Sequence, residues 1–163
     1  RADAAFDILD AQAPQVAYSA SQGNHDIEST PTPPGEPTRF HEFFGEARFS
    51  RTPWYLGSSP SGNSHAQVFQ GGARDYLHIN MEWIPSEPTW VWAEKLLELL
   101  PEMPTIVTTH WHMDPAPSLQ RSPVGQAIFQ RLAEPYSQTF LLFGGHLSGV
   151  GRRTSQNDRR RSG

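Results

Sequence analysis

Thr105-Ile106-Val107-Thr108-Thr109-His110 is a short β-branched run that ends on an imidazole. β-Branched side chains favour the pleated backbone, and a run without polar alternation suits a strand covered on both faces, the usual state of a parallel strand. Upstream, Trp90 to Leu100 has the spacing of a helix, with Trp92, Leu96, Leu99 and Leu100 on an apolar face and Pro101 beyond its end. Downstream, Val124 to Ala133 predicts a second helix. Thr139-Phe140-Leu141-Leu142-Phe143 then repeats the buried-strand pattern and ends at Gly144-Gly145-His146. Helices alternating with strands of this kind predict an α/β fold with parallel strands.

Further out, Ala66 to Gln70 and Asp75 to Trp83 predict a hairpin around Gly71-Gly72. The first 20 residues predict a helix carrying Ala5, Phe6, Ile8 and Leu9, a stop at Pro14 and an extended run from Val16 to Tyr18. The loop Ser21-Gln22-Gly23-Asn24-His25-Asp26 follows. Four prolines within residues 29 to 38 exclude helix and central strand there and predict a surface excursion. Phe40, Phe43, Phe44 and Phe49 form an aromatic cluster that predicts core beneath a long loop, continued by Trp54 and Tyr55 into a Gly/Ser/Pro-rich turn at 57 to 64.

Composition narrows the function. The 163 residues suffice for one domain, while 15 Pro and 13 Gly exclude long bundles and coiled coils. The absence of Cys excludes disulfides, thiolate nucleophiles and Cys-ligated zinc. Arg152, Arg153, Arg159, Arg160 and Arg161 lie in the last 12 positions, which leaves residues 1 to 151 with 8 basic and 16 acidic groups. An acidic body does not suit a nucleic-acid surface, whose attraction to phosphate needs clustered Lys and Arg. No apolar run approaches the roughly 20 residues of a membrane span, and no signal-peptide pattern marks the start.

The recurring chemical feature is a chelating side chain just after a strand: Asn24, His110 and His146. Open α/β sheets gather ligands at the carboxyl ends of their strands, so the three can converge, and imidazole with amide oxygen suits a divalent transition metal. The competing reading is that each caps its own turn. His112 and Asp114 offer an alternative mononuclear centre with His110. His41, His65 and His78 are read as packed or solvent-facing, and Glu82, Glu87 and Asp114 as loop or strand-end acids. Arg152 and Arg153 could steer a phosphate or form a solvated pair.

Gly23-Asn24-His25-Asp26, Thr108-Thr109-His110 and Gly145-His146-Leu147-Ser148-Gly149 follow in an order that resembles the third, fourth and fifth motif blocks of the calcineurin-like metallophosphoesterases. The resemblance implies hydrolysis of phosphomonoesters or phosphodiesters on a four-layer α/β/β/α sandwich with two divalent ions, Mn, Fe, Zn or similar. Asn24, His110 and His146 would hold one ion. His25 would face the leaving group as the catalytic acid, and Asp26 would hydrogen-bond His25. The family's first two blocks, Asp-x-His and Gly-Asp-x-x-Asp/Asn, have no counterpart among the 22 residues before Gly23, and Ser148 stands where the family has its second His. These departures imply a partial domain over 1–151, weakly active or inactive alone, followed by an Arg-rich tail at 152–163 that ends in truncation. They also leave room for a catalytically inactive relative that serves as a binding domain.

Overall fold

The computed structural model describes residues 2–12, 16–27 and 39–155. The fold is mixed α/β, with five strands in the order β1-β2-β3-β4-β5: Tyr55–Ser58, His65–Gly71, Arg74–Asn80, Thr105–Thr108 and Thr139–Phe143. The first three strands form antiparallel pairs, and β3, β4 and β5 are parallel. The predicted hairpin is present as β2 and β3, with Gln70 opposite Asp75. β1 was not anticipated; it is short, Gly-containing and bulged between Tyr55 and Gly57.

Parallel neighbours require long crossovers, and helices supply them. Glu87–Leu99 (α4) joins β3 to β4; Pro123–Ile128 (α5), extended by a π-helical turn Phe129–Ala133, joins β4 to β5. Both pack on one face of the sheet, where Ala66, Leu77, Ile79 and Val107 meet Trp90, Ala93, Leu97, Ile128 and Leu132. Two sequence expectations change here. The buried face of α4 is Thr89, Trp90, Ala93 and Leu97, while Leu99 is 75% exposed. β5 is an edge strand with Phe140 55% and Phe143 54% exposed, because the described residues cover only the helical side of it.

The opposite face of the sheet is polar toward the strand ends. Gln67 Nε2 lies 2.9 Å from His78 Nδ1, and His78 Nε2 lies 2.9 Å from Thr108 Oγ1. Asn80 Oδ1 accepts from Thr108 and from Ser21, and Asn80 Nδ2 donates to the carbonyl of Ala20. This chain of bonds ties the extended residues 16–23 to the ends of β3 and β4. A second, smaller core of Phe49 and Trp54 against Tyr18 and Tyr55 holds the same segment from below. Ala2–Asp10 (α1) docks through Arg48 of the short helix Glu46–Phe49 (α3), which follows Arg39–Phe44 (α2). The Arg48 guanidinium meets Asp3, Asp7 and Asp10 at 2.5, 3.0 and 2.8 Å. The predicted Pro-rich excursion and the arginines at 159–161 lie outside the described residues. No helix among the described residues is long and apolar enough to cross a membrane.

Candidate metal centre

Asn24 opens a single 3-10 turn, Asn24–Asp26, that follows Gly23. Asp26 closes this turn from both ends: its carboxylate accepts the Gly23 N–H at 2.7 Å, and its own N–H donates to the Gly23 carbonyl at 3.1 Å. Gly23 sits close under the imidazole, and a Cβ there would stand 3.1 Å from Nε2 of His110, so a larger residue would push that ring aside by a few tenths of an ångström. The turn therefore delivers Asn24 beside the end of β4.

The β4–β5 ladder delivers the other two residues. Thr109 N–H donates to the Phe143 carbonyl at 3.1 Å, and Gly145 N–H donates to the His110 carbonyl at 2.8 Å, so pairing continues past both strands and brings His110 against His146. His146 takes φ +72. A non-glycine residue in the left-handed region costs of order 1 kcal/mol or more, and such strain gathers at functional sites.

The three side chains converge. Asn24 Oδ1 and His146 Nδ1 each lie 3.1 Å from His110 Nε2. One ring nitrogen carries at most one proton, so Nε2 serves the two neighbours only by splitting that proton in a weakened three-centre bond, and its single lone pair cannot accept from both. A shared cation removes the conflict. Donors held by one divalent ion at about 2.0–2.2 Å stand roughly 2.8–3.6 Å apart, depending on octahedral or tetrahedral angles. Burial first, and then the neighbouring His146, lower the pKa of His110; Asp26 opposes this shift and His25 reinforces it. The imidazole is thereby kept neutral, the form that binds metals.

Trp83 and Trp111 wall the pair. Their rings stack with centroids 6.1 Å apart; Trp83 stands 5.4 Å from both imidazoles and Trp111 5.2 Å from His146. Both tryptophans directly follow residues singled out in the sequence, Glu82 and His110, and that adjacency was the signal available. His25 and Ser148 are exposed. His25 and Asp26 are near enough to act on His110 electrostatically, but the Asp26 carboxylate is engaged with Gly23, and no bond to the His25 ring is found. Among the described residues no three His, Cys, Asp or Glu side chains share one potential ion position, so the donor set here is two imidazoles and an amide oxygen.

The other candidates have separate surroundings. His112 is buried against the end of β5, where a Cβ on Gly144 would come within 2.4 Å of the His112 backbone nitrogen, and its Nδ1 finds no partner. Asp114 accepts from Ser118 at 3.1 Å, and Glu87 pairs with Arg131 through both carboxylate oxygens at 2.7 and 2.8 Å. Glu82 is not a simple strand-end acid. It is buried, with Oε1 accepting from Ser61 and Thr89 at 2.9 and 2.7 Å, Ser64 within 3.4 Å, and Asn63 Nδ2 donating to Oε2 at 3.4 Å.

No family model matches the chain, and no solved structure matches it. A stretch of the uncharacterized protein YvnB of Bacillus subtilis (strain 168) is 26% identical over 157 residues, 96% of this chain and 12% of that protein. The chain thus spans only a small part of the length of the curated relative it matches.

Proposed function

We propose that this chain belongs to a calcineurin-like metallophosphoesterase domain, the class that hydrolyses phosphomonoesters or phosphodiesters with divalent metal ions. The observation that carries the reading is the pair of 3.1 Å approaches to His110 Nε2 from Asn24 and His146, a donor arrangement that one proton serves only by splitting. The order of the three motif blocks along the chain supports it, as does the position of His110 and His146 just beyond β4 and β5 with Asn24 on the 3-10 turn beside them. In the four-layer arrangement this reading implies, the sheet face opposite α4 and α5 packs on a second sheet.

Asn24, His110 and His146 would hold one ion. Bound divalent ions supply polarisation of the phosphoryl oxygens and a water of lowered pKa as nucleophile. The chain's own contribution to bond breaking is His25, carried on the same turn as Asn24 and exposed to an incoming ester. With its proton in place, the His25 ring donates to the departing oxygen, and an alkoxide gains most from this because it is the poorer leaving group. Asp26 acts on geometry by fixing the turn through Gly23.

Ser148, and the absence among the described residues of a third His or carboxylate sharing an ion position with His110 and His146, favour a second reading, in which the same scaffold binds a metal or phosphorylated ligand without turnover. Calorimetric titration with Mn²⁺ and Zn²⁺, followed by assay of 4-nitrophenyl and bis(4-nitrophenyl) phosphate, tests the esterase reading. Saturable metal binding lost in His110→Ala, together with metal-dependent hydrolysis lost in the same variant, supports the esterase. Metal binding without hydrolysis is the result expected of the binding domain and equally of an esterase domain without the first two motif blocks. Absence of metal binding overturns the esterase.

A further inference from the structure

A cavity of about 480 Å³ lies between β5, the π-helical turn after α5 and the extended residues 151–155. Arg121, Arg152 and Arg153 line it, together with His112 and an apolar wall that includes Phe129 and Phe140. Asn24, His110 and His146 do not.

Two features are costly without a ligand. The first is the arginine cluster. The Arg121 guanidinium lies 3.7 Å above the centroid of Phe129 and donates to Ser155 Oγ at 2.8 Å, which leaves most of its five N–H groups available. Burial and the charge of Arg153 pull the pKa of Arg121 down, while Glu134 opposes them from beyond ion-pair distance. Among the described residues, the ion pairs formed by arginines are those of Arg48 and Arg131; none of the three cavity arginines has one. The second feature is the apolar wall, where Phe140 and Phe143 stay 55% and 54% exposed on the cavity's lining. An anion with an apolar body relieves the like charges and covers that surface.

We propose that this cavity binds an organic phosphate: the guanidinium groups of Arg121 and Arg153 take the phosphoryl oxygens, and the apolar wall takes the organic body. Guanidinium forks match a phosphoryl group bidentately, and a dianion with three oxygens uses such donors more fully than a carboxylate does. The site is separate from the candidate metal centre and does not require it.

The test is calorimetric titration of the chain with phenylphosphonate in the presence of EDTA, so that no metal ion can hold the probe. Saturable 1:1 binding is expected, weakened at least about tenfold in Arg121→Gln and in Arg153→Gln, since hydrogen bonds to charged groups are the strong class. Arg153 lies on an exposed segment, so its variant keeps the fold even if Arg121→Gln, which loses its contact with Phe129, does not. Inorganic phosphate, lacking an apolar body, and benzoate, lacking the phosphoryl group, should both bind more weakly. Absence of saturable binding, unchanged affinity in Arg153→Gln, or benzoate binding as tightly as phenylphosphonate would overturn the assignment.

Discussion

Glu82 and His110 both sit just past the end of a parallel strand, yet their surroundings differ in kind. Around Glu82, hydroxyls of Ser61, Ser64 and Thr89 and the amide of Asn63 converge on one buried carboxylate. The donors face an acceptor, and the Glu82 N–H is itself taken by Ser64 Oγ at 2.9 Å. Around His110, two neighbours compete for one ring nitrogen, and the cluster opens to solvent at His146. A buried network that satisfies itself holds the fold together, whereas an open cluster that does not satisfy itself is arranged for something it binds. The carboxylate is structural although sequence makes it look available for chemistry, and the histidine pair is where the proposed ion would sit.

Acid should break the closed regions first. Burial holds His65 and His78 down at about 4, against about 6.5 for an exposed imidazole. As pH falls through 6.5 the unfolded chain takes up protons that the folded chain refuses, so stability is full above that value and declines toward pH 4. The loss by pH 4 should be about 3 kcal/mol for each histidine. Denaturant titrations across this range would register it, and His78→Gln, which keeps hydrogen-bonding capacity, should flatten the slope. A stability curve flat from pH 7 to 4 would contradict the burial of both rings.

Next in size is Glu82→Ala. It strands buried hydroxyls of Ser61 and Thr89 and opens a void, so a loss of about 3–5 kcal/mol is expected in urea denaturation. The matching change in the open cluster, His110→Ala, should cost less than about 1 kcal/mol in metal-free protein, because His110 makes at most one full bond of the two apparent ones and is only half-buried. Similar losses in the two variants would erase the distinction between the clusters.

The smallest effect on stability, and the most selective on reaction, belongs to His25→Ala. Exposed on its turn, His25 should contribute only a few tenths of a kcal/mol to folding. Under the esterase reading, and in a protein that also carries the family's first two motif blocks, its loss should slow hydrolysis of alkyl phosphates about 10²- to 10⁴-fold, and that of nitrophenyl esters much less, with metal content unchanged. Equal slowing of both ester classes, or loss of metal, would remove His25 from the role of acid.

What sequence could reveal followed the range of the interactions. β4, β5 and the β2–β3 hairpin are local runs of strand-forming residues closed by glycine or polar turns, and they were legible. So were His110 and His146 as residues that follow strands, whereas the run before Asn24, expected as a strand, is extended without joining the sheet. The buried face of α4 was misjudged because Thr89 is held inside by Glu82, seven residues away and on another element, and apolar periodicity does not register a hydroxyl recruited to a carboxylate. Glu82 was unreadable for the same reason: its donors come from the segment before β2 and from α4. β5 was read as buried because Thr139-Phe140-Leu141-Leu142-Phe143 is equally apolar whichever of its faces is covered. Sequence did not indicate that in so tight a turn the Asp26 carboxylate reaches the Gly23 N–H.

The central claim is that the paired 3.1 Å contacts at His110 Nε2 mark an ion position rather than a hydrogen-bonded cap. Proton and nitrogen NMR of the histidine rings during titration with Zn²⁺ tests it directly. The account predicts that His110 Nε2 and His146 Nδ1 shift together and saturate at one equivalent, that the Asn24 side-chain amide moves with them, and that His112 and His78 stay in place. Shifts confined to a single histidine, or no change at His110 with zinc in excess, would contradict it.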